Sequence, residues 1–167
     1  HEGSVRASER EHARNIAALT EAQHQDPSEI TPPPYQVDTP VVREQWANYY
    51  ENITALDYWA GDLLDELEAE GVADNTIVLF WSDHGAGLPR AKRWPYDSGL
   101  HVPVMMYVPE ALRERGDYPE PGSRIEDLVC SLDFTPTTLR LAGVDVPDYM
   151  VGRDLLNDPA PEYVYAI

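Results

Sequence analysis

Residues 76–87 read Thr-Ile-Val-Leu-Phe-Trp-Ser-Asp-His-Gly-Ala-Gly, and this stretch decides the fold. Its first part, residues 76–82, is a continuous apolar run rich in β-branched and aromatic side chains. Such a run predicts a strand buried on both faces, as in a parallel sheet under helices. The strand ends abruptly in Asp83 and His84, and the glycines that follow allow a sharp turn. Because ligands in open α/β sheets bind beyond the carboxyl ends of strands, we expect a ligand-binding loop here.

Asp83 and His84 could reach one metal ion from this rigid platform. The structural alternative is an acid that caps the loop beside an exposed histidine. Ser-Asp-His-Gly is a short pattern that also arises by chance, so these residues by themselves leave both interpretations open.

A long helix is predicted before this strand. Thr39 can cap it, Pro40 suits its first turn, and Gly71 supplies a stop. Apolar residues recur between them at alternating steps of three and four, which predicts one face packed in the core. These residues are Trp46, Tyr49, Ile53, Leu56, Ala60, Leu63 and Leu67.

A second strand is predicted at residues 102–108, with Pro103 near its start, where a lost donor matters least. A further helix is predicted at residues 134–142, ending at Gly143, and residues 147–167 have an irregular pattern. The order helix, strand, loop, strand, helix is typical of an α/β layered fold. We therefore expect a mostly parallel central sheet flanked by helices.

Composition limits the partners. The chain has 167 residues, 43% of them apolar, and a formal net charge of −18. That charge argues against nucleic acid or an anionic membrane surface as a partner. No segment has the apolar length of a membrane span. Cys130 is the single cysteine, so a disulfide framework within the chain is excluded, and we expect a buried thiol. His12 and His24 lie in polar stretches and are expected to be exposed.

Two further segments have unusual composition. Lys92 is the chain's only lysine and lies in the loop between the two predicted strands. A compact ammonium there suits an oxyanion, although an ordinary surface lysine is the alternative. Residues 26–40 contain five prolines and predict an extended connector. A connector of this length is usually either wrapped over a larger body or functional.

The order of these pieces resembles the sulfatases of the alkaline phosphatase superfamily. Those enzymes show a strand ending in Ser-Asp-His-Gly or Ser-Asp-Asn-Gly, then a lysine, a Tyr-acid-small-Gly segment and a Val-Pro strand. The resemblance covers about residues 40–156, most of the chain. The matching positions include Lys92, Tyr96, Asp97, Gly99, Pro103, Asn48–Asp57, Asp74–Val78, Leu132–Thr137, Leu141–Gly143, Pro147 and Gly152.

The resemblance implies roles for four residues. Asp83 and His84 would be two ligands of the active-site divalent cation, and Lys92 would contact the sulfate. His1 stands in a His-Glu-Gly-Ser stretch similar to one in some family members. It would contact the sulfate or protonate the leaving alcohol. Calcium is the expected ion, with manganese as the alternative, because His84 offers nitrogen where many relatives have asparagine.

Three other residues could be ligands or catalysts on chemistry alone. His101 lies where the family often carries arginine and is expected to be structural or to line the rim of the site. Asp97 and Asp133 match family positions that are usually structural.

The sequence lacks two elements that this resemblance requires. One is the Cys/Ser-x-Pro-x-Arg motif whose first residue is oxidised to formylglycine, and the other is an Asp–Asp pair for the metal. Both are expected upstream of His1. Residues 1–167 are therefore expected to be the C-terminal part of a sulfatase catalytic domain, inactive alone. Residues 1–40 would form a lead-in, 41–156 the core and 157–167 a tail.

The expected reaction of the full-length protein is metal-dependent hydrolysis of a sulfate ester, on a small molecule or a carbohydrate. A related phosphodiesterase, phosphonate hydrolase or phosphotransferase is the alternative, and a non-catalytic remnant is a third interpretation. Family analogy implies a periplasmic or secreted location.

Overall fold

A computed structural model describes residue 10 and residues 12–164. They form two compact units. The first unit comprises the described residues up to 73 together with residues 86–92. The second comprises residues 74–85 and the described residues from 93 onward. Within these residues, no helix has both the length and the apolarity needed to cross a membrane.

The first unit is built on helix α1, Pro40–Ala69. The Thr39 side chain accepts a hydrogen bond from the Val42 backbone N–H at 3.3 Å, and Pro40 occupies the first turn. Gly71 follows the helix with φ of +69°, the left-handed conformation that favours glycine at a helix end. The predicted helix and both of its end signals are confirmed.

The buried apolar cluster that packs against α1 lies near its N-terminal end. Trp46 and Ala47 form a buried apolar cluster with Ile30, and Val42, Tyr49 and Leu88 pack against it. Further along the predicted face, Ile53, Leu56 and Leu63 are 46%, 37% and 41% exposed. The prediction that this face packs in the core is therefore wrong for Ile53, Leu56 and Leu63 among the described residues, because the described apolar cluster does not extend that far.

A buried carboxylate connects the N-terminal region to α1. Glu51 is 6% exposed, and its carboxylate accepts from the Gln25 backbone N–H at 3.0 Å. His12 Nε2 and His24 Nδ1 each lie 3.1 Å from one of its oxygens. The expectation of exposure is confirmed for His24, whose side chain is 43% exposed, and is wrong for His12, whose side chain is 20% exposed. Both pair with Glu51 because a buried carboxylate needs polar partners.

The second unit contains a two-stranded sheet. Strand β1 is Val78–Trp81 and strand β2 is Val104–Tyr107. They pair antiparallel, with Val78 opposite Tyr107 and Trp81 opposite Val104. Both strands fall within the predicted segments, although each is shorter. The expectation of burial on both faces is wrong for β1, since Trp81 is 45% exposed and the strand has one neighbour. The described residues do not confirm a mostly parallel sheet.

Three helices complete the second unit. They are the short helices α2, Asp97–Leu100, and α3, Glu110–Arg113, and the longer α4, Phe134–Leu141. Gly143 has φ of +70° at the end of α4, as the sequence predicts. Cys130, expected to be buried, is half-buried.

A buried aspartate anchors the chain after α4. Asp133 is 6% exposed, and its carboxylate accepts from the backbone N–H groups of Cys130 and Arg153, at 2.9 and 3.0 Å. A Cβ atom on Gly152 would lie 2.0 Å from the Leu132 carbonyl oxygen, so only glycine fits there. The role of Asp133 is therefore structural, in line with the expectation.

Candidate active site

The loop after β1 turns sharply at Ser82. Its backbone N–H donates to the Pro103 carbonyl at 3.3 Å and continues the pairing beside β2. Its hydroxyl donates to the His84 carbonyl at 2.6 Å, which closes the turn. The Asp83 side chain between them is 82% exposed, whereas that of His84 is 35% exposed. The turn thus presents a solvent-accessible carboxylate beside a half-buried imidazole.

The His84 ring is oriented by its own loop. Nδ1 lies 2.7 Å from the Gly85 carbonyl oxygen, which can only accept, so Nδ1 carries a proton. In the neutral imidazole this leaves the lone pair on Nε2. Nε2 lies 3.5 Å from Asp83 Oδ1. A backbone carbonyl that fixes the tautomer in this way is a common arrangement behind a metal-binding histidine.

Gly85 allows the backbone of the loop after β1 to approach α2 closely. A Cβ atom at this position would lie 1.9 Å from the Ser98 carbonyl oxygen and 2.9 Å from the Gly99 Cα. The Gly85 backbone N–H donates to the Gly99 carbonyl at 3.2 Å. Glycine is therefore required here by a close approach of two backbone segments rather than by a positive φ.

The donor atoms of this loop fit half of a metal site. A separation of 3.5 Å between Asp83 Oδ1 and His84 Nε2 lets both reach one divalent ion at the usual distances of about 2.0–2.6 Å. The described residues contain no group of three or more His, Cys, Asp or Glu side chains that could hold an ion. Two donors are fewer than calcium or a catalytic zinc requires, so a complete site needs further ligands.

Lys92 lies in the first unit, in the segment 86–92, while Asp83 and His84 lie in the second. We call residues 86–92 the lysine loop. The Lys92 backbone N–H donates to the Ala86 carbonyl at 2.9 Å, which closes the loop, and the Lys92 side chain is exposed. The structure thus brings Asp83 and His84 together and describes Lys92 within its own unit.

The backbone around Lys92 is unusual. Arg90 has φ of +67° and Arg93 has φ of +72°. These are left-handed conformations that cost a residue with a Cβ atom about 1–2 kcal/mol. Strained backbone of this kind is concentrated at functional sites when its surroundings hold it in place.

Sequence reasoning missed two residues that contact the lysine loop, Tyr35 and Gln36. The Gln36 side-chain amide donates to the Pro89 carbonyl at 3.0 Å. The Arg90 guanidinium lies 5.2 Å from the centre of the Tyr35 ring. The available signal was the length of the proline-rich connector, which indicated that it wraps over something or serves a function.

The other candidate residues are distributed as follows. His101 Nδ1 lies 3.8 Å from Asp97 Oδ1, and both side chains are largely exposed. They form an exposed pair on α2 and the residue after it. His1 lies outside the described residues, so its role stays a prediction.

Comparison with known protein families places the chain in a clear context. Residues 7–144 match the Sulfatase family. This segment includes Asp83, His84, Lys92, both strands and α1.

Individual relatives include two named as sulfatases and one named as a sulphohydrolase. The chain is 37% identical to an ulvan-active sulfatase of Formosa agariphila over 125 residues, which are 75% of this chain and 20% of the relative. It is 30% identical to human N-sulphoglucosamine sulphohydrolase over 153 residues, or 86% of this chain and 29% of the relative. Human iduronate 2-sulfatase is 34% identical over 121 residues, 60% and 22% of the two chains. The matches therefore span under a third of the length of these relatives.

Proposed function

This chain belongs to the sulfatase family, and from that premise we propose that the protein containing it hydrolyses sulfate esters. Membership implies an alkaline-phosphatase-like α/β fold. We further propose that residues 1–167 are the C-terminal part of the catalytic domain, with 41–156 as core, 1–40 as lead-in and 157–167 as tail. The mostly parallel sheet would then belong to the complete domain, and this chain by itself would show no turnover.

The observation that carries the proposal is the pair formed by Asp83 and His84. The two side chains converge to 3.5 Å just beyond the carboxyl end of β1, within the segment that matches the family. A carboxylate beside an imidazole whose ring is oriented by a backbone carbonyl is a donor set for a divalent cation. We propose that both are metal ligands and that the ion is calcium, with manganese as the alternative.

When bound, such an ion supplies Lewis acidity toward the sulfate oxygens. The remaining ligands of the site, an Asp–Asp pair, and the formylglycine that supplies the nucleophile are proposed to lie outside residues 1–167. The turn at Ser82 and the close contact at Gly85 hold the backbone of Asp83 and His84 in place before substrate binds.

Lys92 is proposed to bind the sulfate group. Its ammonium is a compact charge that stabilises negative charge developing on the bridging or leaving oxygen. His1 is proposed to contact the sulfate or to donate a proton to the leaving alcohol, which would otherwise depart as an alkoxide.

The proposed substrate is a carbohydrate sulfate. The names of these relatives mention ulvan, N-sulphoglucosamine and iduronate, all of which are saccharides. The net charge of −18 is unfavourable for binding nucleic acid, so no nucleic-acid partner is proposed.

The test uses the complete protein, assayed with 4-nitrophenyl sulfate, 4-nitrophenyl phosphate and a panel of sulfated saccharides. We expect turnover of sulfate esters, and we expect Asp83→Ala and His84→Ala to lower bound metal and kcat/KM together. Asp97→Ala is the matched control, because that carboxylate is also largely exposed and lies in the same unit. Preference for the phosphate substrate would move the protein to the phosphoryl-transfer branch. Unchanged metal content in both variants would refute the ligand assignment.

A further inference from the structure

The lysine loop is held by the proline-rich connector and by α1. Leu88 packs against the cluster of Ile30, Trp46 and Ala47. The next residue, Pro89, accepts the Gln36 hydrogen bond through its carbonyl. Three kinds of contact therefore follow one another along the loop: an apolar side chain, a hydrogen bond and, at Arg90, a cation over a ring.

Gln36 acts as a link between the helix and the loop. Its Oε1 accepts from Trp46 Nε1 at 2.8 Å, and its Nε2 donates to the Pro89 carbonyl at 3.0 Å. The Trp46 ring is buried in the apolar cluster and is 9% exposed. The amide is thus fixed at one end by a core residue, and it fixes the loop at the other.

Tyr35 contacts Arg90, a residue of the lysine loop with a strained backbone. Arg90 lies in the left-handed region, and its guanidinium lies 5.2 Å from the centre of the Tyr35 ring. A cation over an aromatic ring at this distance is stabilising. Ala91, the next residue, is 3% exposed. The backbone on the N-terminal side of Lys92 is therefore fixed although the Lys92 side chain is exposed.

We propose that Tyr35 and Gln36 are positioning residues for Lys92: they set the place at which its ammonium meets the sulfate group. The inference rests on the proposed function, because it assumes that Lys92 binds sulfate. It assigns a purpose to the proline-rich connector. Prolines restrict the backbone conformations open to residues 32–36, so this stretch presents Tyr35 and Gln36 with little loss of entropy.

The decisive variant is Gln36→Glu in the complete protein. An ionised glutamate still accepts from Trp46 Nε1 but has no hydrogen to donate to the Pro89 carbonyl. The change therefore keeps the bond to Trp46 and replaces the bond to the lysine loop by repulsion between the carboxylate and the Pro89 carbonyl. We expect kcat/KM for the sulfate ester to fall about tenfold, since a small misplacement of a substrate-binding group is costly. Tyr35→Leu removes the ring and is expected to act in the same direction, whereas Tyr35→Phe retains most of the activity.

A double-mutant cycle separates positioning from general structural support. If Gln36 acts through Lys92, Gln36→Glu has no further effect on kcat/KM once Lys92 has been replaced in Lys92→Ala. Equal losses in both backgrounds would mean a structural role and would overturn the inference. Arg43→Ala is the control, because Arg43 holds the same connector through Asp38 and the Ser28 carbonyl without contacting the loop. Its effect is expected to be small and additive.

The outcomes also separate this inference from the proposed function. If Lys92→Ala leaves kcat/KM unchanged, the proposal that Lys92 binds the sulfate group is wrong. If Lys92→Ala lowers kcat/KM and neither Gln36→Glu nor Tyr35→Leu does, only the positioning role is wrong. A variant that lowers the melting temperature by as much as Arg43→Ala, but lowers kcat/KM far more, supports positioning.

Discussion

Two loops that follow one another in the sequence carry the candidate chemistry, and they are held in different ways. The loop with Asp83 and His84 is held by backbone against backbone, with Gly85 so close to Ser98 that no side chain fits. The lysine loop is held by side chains, namely Leu88, Arg90 and their partners on the connector and α1. A backbone contact fails when one atom is added, whereas a set of side-chain contacts weakens by increments. A single substitution in the first loop should therefore have a larger effect than the loss of any one contact in the second.

The largest effect is expected for Gly85→Ala. The new Cβ would lie 1.9 Å from a carbonyl oxygen, so the loop or α2 must move. We expect a loss of about 3 kcal/mol in stability, at the upper end for overpacking, and about a hundredfold in kcat/KM. Differential scanning calorimetry and the sulfatase assay measure both. Gly87→Ala is the matched control, since a Cβ there meets nothing within 4 Å. Equal behaviour of the two variants would contradict the contrast between the loops.

A smaller effect is expected for Leu88→Ala. Leu88 is half-buried against the apolar cluster, and its truncation should cost about 1–2 kcal/mol, below the usual range for a fully buried leucine. Hydrogen–deuterium exchange should accelerate at residues 86–92 and stay unchanged at 97–100. Leu64→Ala is the control, because Leu64 is 46% exposed on α1. Exchange that accelerates equally in both loops would show that they are not held independently.

Substitutions at Arg90 test whether its contact with the Tyr35 ring offsets the strain of its left-handed backbone. Both Arg90→Gly and Arg90→Ala lose the contact with Tyr35, but only glycine adopts φ of +67° without cost. We expect the glycine variant to be more stable than the alanine variant by about 1 kcal/mol. Urea denaturation of the two variants measures the difference. An alanine variant as stable as the glycine variant would mean that the backbone there is not left-handed in solution.

The smallest effect concerns the far end of the connector. Hydrogen bonds from Arg43 hold the pKa of Asp38 below its ordinary value of 3.8. A lowered folded-state pKa means that this pairing stabilises the connector above about pH 4 and is lost as the pH falls through the folded-state pKa. Both groups are at the surface, so the gain is slight. In an NMR titration, Arg43→Ala should return the Asp38 pKa toward 3.8. A pKa that is unaffected by the variant would disprove the pairing.

Sequence reasoning worked where the signals are local. The ends of α1 follow from Thr39, Pro40 and Gly71, and the end of β1 from the change to Asp83 and His84. Each of these signals lies within a few residues of the feature that it predicts. Caps, turns and strand ends depend on residues close together in the sequence, so they can be predicted from it.

The remaining features depend on residues far apart in the chain. Gln36 and Pro89 are 53 positions apart in the sequence, and no periodic pattern of residues predicts their hydrogen bond. The pairing of His12 and His24 with Glu51 was missed for the same reason. The exposure of Ile53, Leu56 and Leu63 on α1 could not be predicted from the apolar pattern. Such a pattern shows which face of a helix is apolar, but not whether the described residues pack against it.

The bond between Gln36 and Pro89 also bears on the order of folding. It closes a chain segment of 53 residues that contains all of α1 and β1. Helices and turns form quickly, whereas a contact of such separation must first overcome the entropy of closing its loop. The lysine loop should therefore reach its final place late, after the helix that supports it. Newly synthesised protein would then form the turn that carries Asp83 and His84, the proposed metal ligands, before Lys92 reaches the position proposed for binding sulfate.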